Sequence, residues 1–267
     1  MAQEKWLIDG PKIIDIDQVR RLKVGLIAGQ VSIIGHDEAH ARIEVHSVSG
    51  RDLKVTLDGD TLEIDHPQLR WDNFIEVFKS WSAGNAKADI TIAIPRDIAL
   101  KFGVVSASAL ISGLTEDANI STVSGDLVID NLYGDVQLNS VSGEIAVRNH
   151  YGKITAHTIS GDVTASGEIM KFGADTVSGN VFVDATGTPD EIRANTVSGD
   201  VTVRLAPEVP AQYTISTVSG RLQVDNSDIR GVHGQYKAKF GDLDKKWLEF
   251  RANTVSGNVS VVHAVSA

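Results

Sequence analysis

Cysteine is absent from the chain, so disulfides and thiolate metal sites are excluded from the outset. Proline is scarce, 6 residues in 267, which leaves backbone hydrogen-bond ladders largely free of breaks. No apolar run approaches the ~18 residues that a membrane helix needs. Met1-Ala2-Gln3-Glu4-Lys5 leads into a mixed strand without an apolar signal core, so the reading is a soluble, cytoplasmic protein. Clustered basic residues are also missing. With 25 Lys and Arg against 35 Asp and Glu the formal net charge is −10, which argues against a nucleic-acid surface. Mild acidity serves solubility in many proteins and names no partner by itself.

What the chain has in abundance is a returning phrase. Thr122-Val123-Ser124-Gly125, Ser140-Val141-Ser142-Gly143, Thr158-Ile159-Ser160-Gly161, Thr176-Val177-Ser178-Gly179 and Thr196-Val197-Ser198-Gly199 place their glycines 18, 18, 18 and 20 residues apart, with later copies ending at Gly220 and Gly257. Each copy runs on as glycine, a polar residue, then alternating apolar positions, as in Gly125-Asp126-Leu127-Val128-Ile129 and Gly199-Asp200-Val201-Thr202-Val203. Alternation with period two means strand, and Val, Thr, Ser and Gly at this density disfavour helix. A weaker half-repeat at Tyr133-Gly134 and Tyr151-Gly152 divides each coil into roughly two strands and two corners. The expected fold is all-β: a single-chain β-solenoid, or β-helix, of ~18-residue coils, stacked at ~4.8 Å around a linear apolar core. The repeat glycines Gly125, Gly143, Gly161, Gly179, Gly199, Gly220 and Gly257 are its structural residues, needed for positive φ or close backbone approach.

Residues 1–103 read as an irregular N-terminal β region and 104–267 as the regular solenoid with an irregular insertion at 226–252, the two forming one continuous domain. Asp58-Gly59-Asp60 is a strong hairpin signal. Residues 68–83 break the pattern: Leu69, Trp71, Phe74, Ile75, Phe78 and Trp81 fall at helical spacings and predict an inserted amphipathic helix. Such a helix either packs on the solenoid as a cap or offers Trp71, Phe74, Phe78 and Trp81 to a protein partner or a membrane surface. The last strand, 259–262, is expected to be an edge in need of a cap.

The Thr-Val-Ser-Gly-Asp-Val phrase, the strand ending at Ile94-Pro95 and the closing Thr254-Val255-Ser256-Gly257-Asn258-Val259 resemble a bacterial family usually labelled adhesin-like, domain of unknown function 4097. The resemblance covers about residue 20 to the C-terminus. It implies the β-solenoid, and it carries over no catalytic residue. Members often sit in envelope-stress systems, which would imply an accessory role for the aromatic helix.

Stacking makes the candidate chemistry. If the valines of the phrase face inward, Thr122, Thr158, Thr176 and Thr196 form one outward row, the serines a second, and Asp126, Glu144, Asp162 and Asp200 a third. A carboxylate row could bind cations or basic partners. It could equally be a set of solvated turn residues, and the breaks at Asn180, Arg221 and Asn258 favour that reading. The eight histidines show no tight metal spacing, and Ser-Gly recurs too often to be one nucleophile. The sequence therefore reads as a non-enzymatic binding or scaffold protein without cofactor or metal, its partner an unknown protein or a second copy. A polysaccharide-active enzyme is the alternative, and it would need two acids facing Arg or Lys across a groove.

Overall fold

The computed structural model describes residues 4–66, 86–225, 227–229 and 234–264. All regular structure among them is β, and none of it is a helix long and apolar enough to cross a membrane. The expected helix at 68–83, with Trp71, Phe74, Phe78 and Trp81, lies outside the described residues. The chain divides into two compact units, residues 1–128 and 129–267.

Unit 1 holds β1 (Glu4–Ile8), β2 (Lys12–Asp17), β3 (Arg21–His36), β4 (His40–Ser49), β5 (Leu53–Asp58), β6 (Thr61–Asp65), β7 (Lys87–Pro95), β8 (Ala99–Ser112) and β9 (Ala118–Ser124). Here the stack is irregular because hairpins interrupt it. β5 and β6 pair antiparallel across Gly59-Asp60, as the turn signal requires, while β2, β4 and β7 form an antiparallel run. The long strand β3 lies parallel to β8, with Leu22 beside Leu100, Val24 beside Phe102 and Val31 beside Ala109. All six are buried. The stacked corner already occurs in unit 1: a side chain on Gly125, φ +134°, would fall 2.3 Å from the Ala107 carbonyl oxygen.

β10 (Leu127–Asp130) is followed in unit 2 by β11 (Val136–Ser142), β12 (Ile145–Ser160), β13 (Val163–Ser178), β14 (Val181–Ala185), β15 (Glu191–Ser198), β16 (Val201–Leu205), β17 (Ala211–Ser219), β18 (Leu222–Val224), β19 (Ser227–Ile229), β20 (Gly234–Phe240), β21 (Leu248–Ser256) and β22 (Val259–His263). Unit 2 is β-solenoid-like, with parallel coils stacked like on like. One buried file runs Val136, Ile154, Phe172, Ile192, Phe250, Tyr213, and beside it runs Leu138, Ala156, Ala174, Ala194, Ala252, Ile215. The second strands add Ile145, Val163, Val181, Val201, Val259, Leu222.

The spatial order of these files departs from chain order. β21 and β22 lie between β15–β16 and β17–β18, so the coil nearest the C-terminus is internal. The last strand is therefore no edge. The outer coil is β17–β18, covered by antiparallel β20 and β19. His263 ties this layer together: its Nδ1 lies 2.9 Å from the Asp225 carboxylate, its Nε2 3.1 Å from the Val209 carbonyl, and its ring stacks on Phe240 at 3.9 Å.

Two outcomes follow from burial. Gly161 has φ +144°, and a Cβ there would sit 2.2 Å from the Gly143 carbonyl oxygen, whereas one on Gly173 would meet nothing within 4 Å. Gly161→Ala should cost about 3 kcal/mol or more, against about 0.5 kcal/mol in either direction for Gly173→Ala, as read by urea denaturation. In unit 1, His66 is fully buried and its Nδ1 accepts the Ile27 N–H at 3.1 Å, a bond that a proton on Nδ1 would abolish. Burial first, and the charge of Arg51 second, push its pKa down to about 4. The unfolded chain then takes up this proton first. Stability should fall by about 1.4 kcal/mol per pH unit as pH drops from about 6.5 towards 4. Urea midpoints across that range check this, and the slope should be shallower in His66→Asn.

Candidate functional site

The surface that unit 2 repeats is its Thr-Val-Ser-Gly corner, and the structure inverts the expected orientation there. Thr158, Thr176, Thr196, Thr217 and Thr254 are buried, each 5–6% exposed, and in unit 1 Thr122 is buried as well. They form no outward row. Ile159, Val177, Val197 and Val255 are instead about half exposed, and Val218 is 80% exposed. The cause is strand parity. Alternation arrives from upstream through Phe172-Ala174-Thr176, Ile192-Ala194-Thr196 and Phe250-Ala252-Thr254, so threonine is the last inward residue of each strand. The chain turns at Val-Ser-Gly-Asn or Val-Ser-Gly-Asp, and inward-facing resumes at Val181, Val201 or Val259. Counting alternation straight through the corner assigns the wrong face. The run of inward residues before each threonine was the signal that decides it.

The buried threonine hydroxyls fill the space under the corner, and among the described residues the Oγ1 atoms of Thr158, Thr176, Thr196, Thr217 and Thr254 have no hydrogen-bond partner. A Cβ on Gly220 would fall 2.9 Å from Thr217 Oγ1, and one on Gly257 3.0 Å from Thr254 Oγ1. Beneath them the glycines touch backbone to backbone: a Cβ on Gly179 would lie 2.2 Å from the Gly161 carbonyl oxygen, on Gly199 2.0 Å from that of Gly179, and on Gly257 2.0 Å from that of Gly199. Close approach, more than turn shape, explains why the position is glycine.

The carboxylate row bonds each coil to the next along the exposed side of the corner. Asp162 accepts the Asn180 backbone N–H at 2.8 Å, and Asn180 Oδ1 accepts that of Asp200 at 3.0 Å. Asp200 in turn accepts that of Asn258 at 2.8 Å, and Asn258 Oδ1 accepts that of Arg221 at 3.0 Å. Because the terminal coil is interleaved, the file reads Asp, Asn, Asp, Asn, Arg in space. From Asp162 onward the carboxylates are thus kept ~9.6 Å apart instead of ~4.8 Å, which halves a repulsion of about 1 kcal/mol per pair. Glu144 opens the file one coil before Asp162. In unit 1, the backbone carbonyl of Asp126 accepts the Ala109 N–H at 3.0 Å.

A second polar file precedes the threonines. His157 lies 3.2 Å from Asp175, Asn195 donates to Asp175 at 2.6 Å, and Asn253 donates to Asn195 at 2.7 Å. With the threonine and valine files, Ser216 and Gln235, it lines a groove of about 920 Å³. Asp175 is the groove's one acid among the described residues, and no Arg or Lys lines it. It offers hydroxyl, amide and branched-aliphatic contacts. Among the described residues no three His, Asp or Glu side chains are grouped to hold a metal.

Asn180→Asp tests the alternating file. With Glu144 it puts four carboxylates in succession, and it removes the amide that donates to Asp162, so it should destabilise unit 2 by about 2 kcal/mol. Part of that loss should return in 1 M salt, measured by thermal melting.

No curated protein matches this sequence. Among solved structures, a protein from Bacteroides fragilis described as a candidate adhesin is similar over 94% of this chain and 97% of its own, at 14% identity and a TM-score of 0.45. A candidate cell-adhesion protein from Clostridium sporogenes is similar over 95% and 100%, at 16% identity and a TM-score of 0.30. A candidate lipid-binding protein from Parabacteroides distasonis is similar over 97% and 99%, at 12% identity and a TM-score of 0.35. The model of the Toastrack family, DUF4097, matches residues 19–262, nearly the whole of the glycine-punctuated stack, and the chain belongs to that family.

Proposed function

We propose that the chain is a non-enzymatic, adhesin-like binding protein whose contact surface is the Thr-Val-Ser-Gly face of unit 2. The observation that carries this reading is the file of half-exposed β-branched side chains in register beside the 920 Å³ groove. A folded chain leaves a contiguous apolar strip in water where another surface is to cover it. The groove also favours binding over catalysis: hydrolysis of a polysaccharide needs paired carboxylates set against each other, and Asp175 stands without a second acid in the lining described. Its carboxylate is engaged by His157 and Asn195.

Beads coated with the chain should retain bacterial cells above the level of bare beads. The triple variant Val177→Asp/Val197→Asp/Val255→Asp, with wild-type circular dichroism, should lose about thirtyfold in retention, the equivalent of one hot spot of about 2 kcal/mol. Equal retention by bare and coated beads would overturn the reading.

A further inference from the structure

We propose that the valine file of unit 2 is a homotypic docking strip, covered by the same strip of a second copy packed antiparallel across a two-fold axis. This deepens the preceding reading and rests on it for the choice of face. The file is Val141, Ile159, Val177, Val197, Val255, Val218 in spatial order, one residue per coil, all between 39% and 80% exposed. Six coils at ~4.8 Å make a strip ~24 Å long.

Period decides what fits it. Stiff β-branched knobs at ~4.8 Å leave notches of the same spacing, and a surface that fills them in succession must carry that repeat itself. Another face of stacked β-coils does so. Two such files interlock when shifted by half a repeat, as in dry sheet-to-sheet packing. A two-fold axis makes the contact self-complementary and closes it at two copies.

Charge selects the same occupant. At a net charge of −10 two copies repel at long range, and contact at an uncharged face adds no local repulsion to this. The valine file and the serine file beside it are uncharged, and among the described residues the groove lining contains no Lys or Arg to hold an anionic partner. Its one carboxylate, Asp175, already faces His157 and Asn195 and leaves little to hold a cationic one. Neutral strip against neutral strip is the match that this face offers. Edge-to-edge growth is opposed separately, because β20, the outermost strand of this sheet among the described residues, carries Lys237 and Lys239.

Light scattering on size-exclusion fractions tests the proposal. The wild type should approach twice 28.6 kDa as concentration rises, and folded Val197→Asp/Val255→Asp should stay at 28.6 kDa. The lack of native cysteine allows a second test that needs no disruptive change. Antiparallel packing sets Val141 opposite Val218 of the second copy. A mixture of Val141→Cys and Val218→Cys chains should therefore form a disulfide dimer under mild oxidation, and neither variant should do so alone. Thr164→Cys, exposed elsewhere on β13, should stay monomeric in the same gel. A wild type that remains monomeric at all concentrations, or cross-linking that ignores these pairings, overturns the inference. If that monomer still retains cells, the adhesin-like reading stands without it. A dimer broken by the aspartates while cell retention is unchanged supports the docking strip and removes the adhesin-like use of the face.

Discussion

At every regular corner of unit 2 the backbone of one coil lies so close to the next that a single methyl group would overlap a carbonyl oxygen, by the 2.0–2.2 Å approaches at Gly161, Gly179, Gly199, Gly220 and Gly257. This contact sets the register. Once glycine lies on glycine, the residues three, five and seven places before it must stack inward on their counterparts, because alternation then has one solution. The aromatic and aliphatic files of the core, the threonine file beneath the corner and the valine file outside it are consequences of that approach. So is the need for the polar file after the glycine to manage its own charge, since in-register stacking would otherwise pile acid on acid.

Much of this was legible in the chain. The ~18-residue period, the strands and the hairpin at Asp58-Gly59-Asp60 rest on local signals, glycine punctuation and two-residue alternation, that survive in any tertiary context. The orientation of the phrase was misread because alternation does not pass through a corner. Ile192-Ala194-Thr196 and Phe250-Ala252-Thr254 held the answer a few residues upstream. Interleaving of the terminal coil was not legible at all. The gap from Gly220 to Gly257 has room for two coils, but nothing local states where the second will sit. Only the order Asp162, Asn180, Asp200, Asn258, Arg221 becomes regular once it is known.

The inversion at the corner changes what the protein presents to its surroundings. Threonine hydroxyls, which suggest a wettable, hydrogen-bonding surface, are buried under the turn. Carboxylates, which suggest cation binding, are engaged with backbone amides of the neighbouring coil. What remains outward in register is aliphatic, flanked by amides, and the surface chemistry of unit 2 is closer to that of an unpaired sheet face than to that of a charged rail.

The interleaved coil also has a consequence in time. A ribosome makes residues 211–224 before residues 248–263, yet the earlier segment has its parallel neighbour only in the later one. Growth by adding each new coil to the last, the simplest route for a solenoid, therefore halts at β16. The segment from 211 onward gains its parallel neighbour only after β21 and β22 have been made, and coil-by-coil addition in chain order cannot complete this part of the molecule.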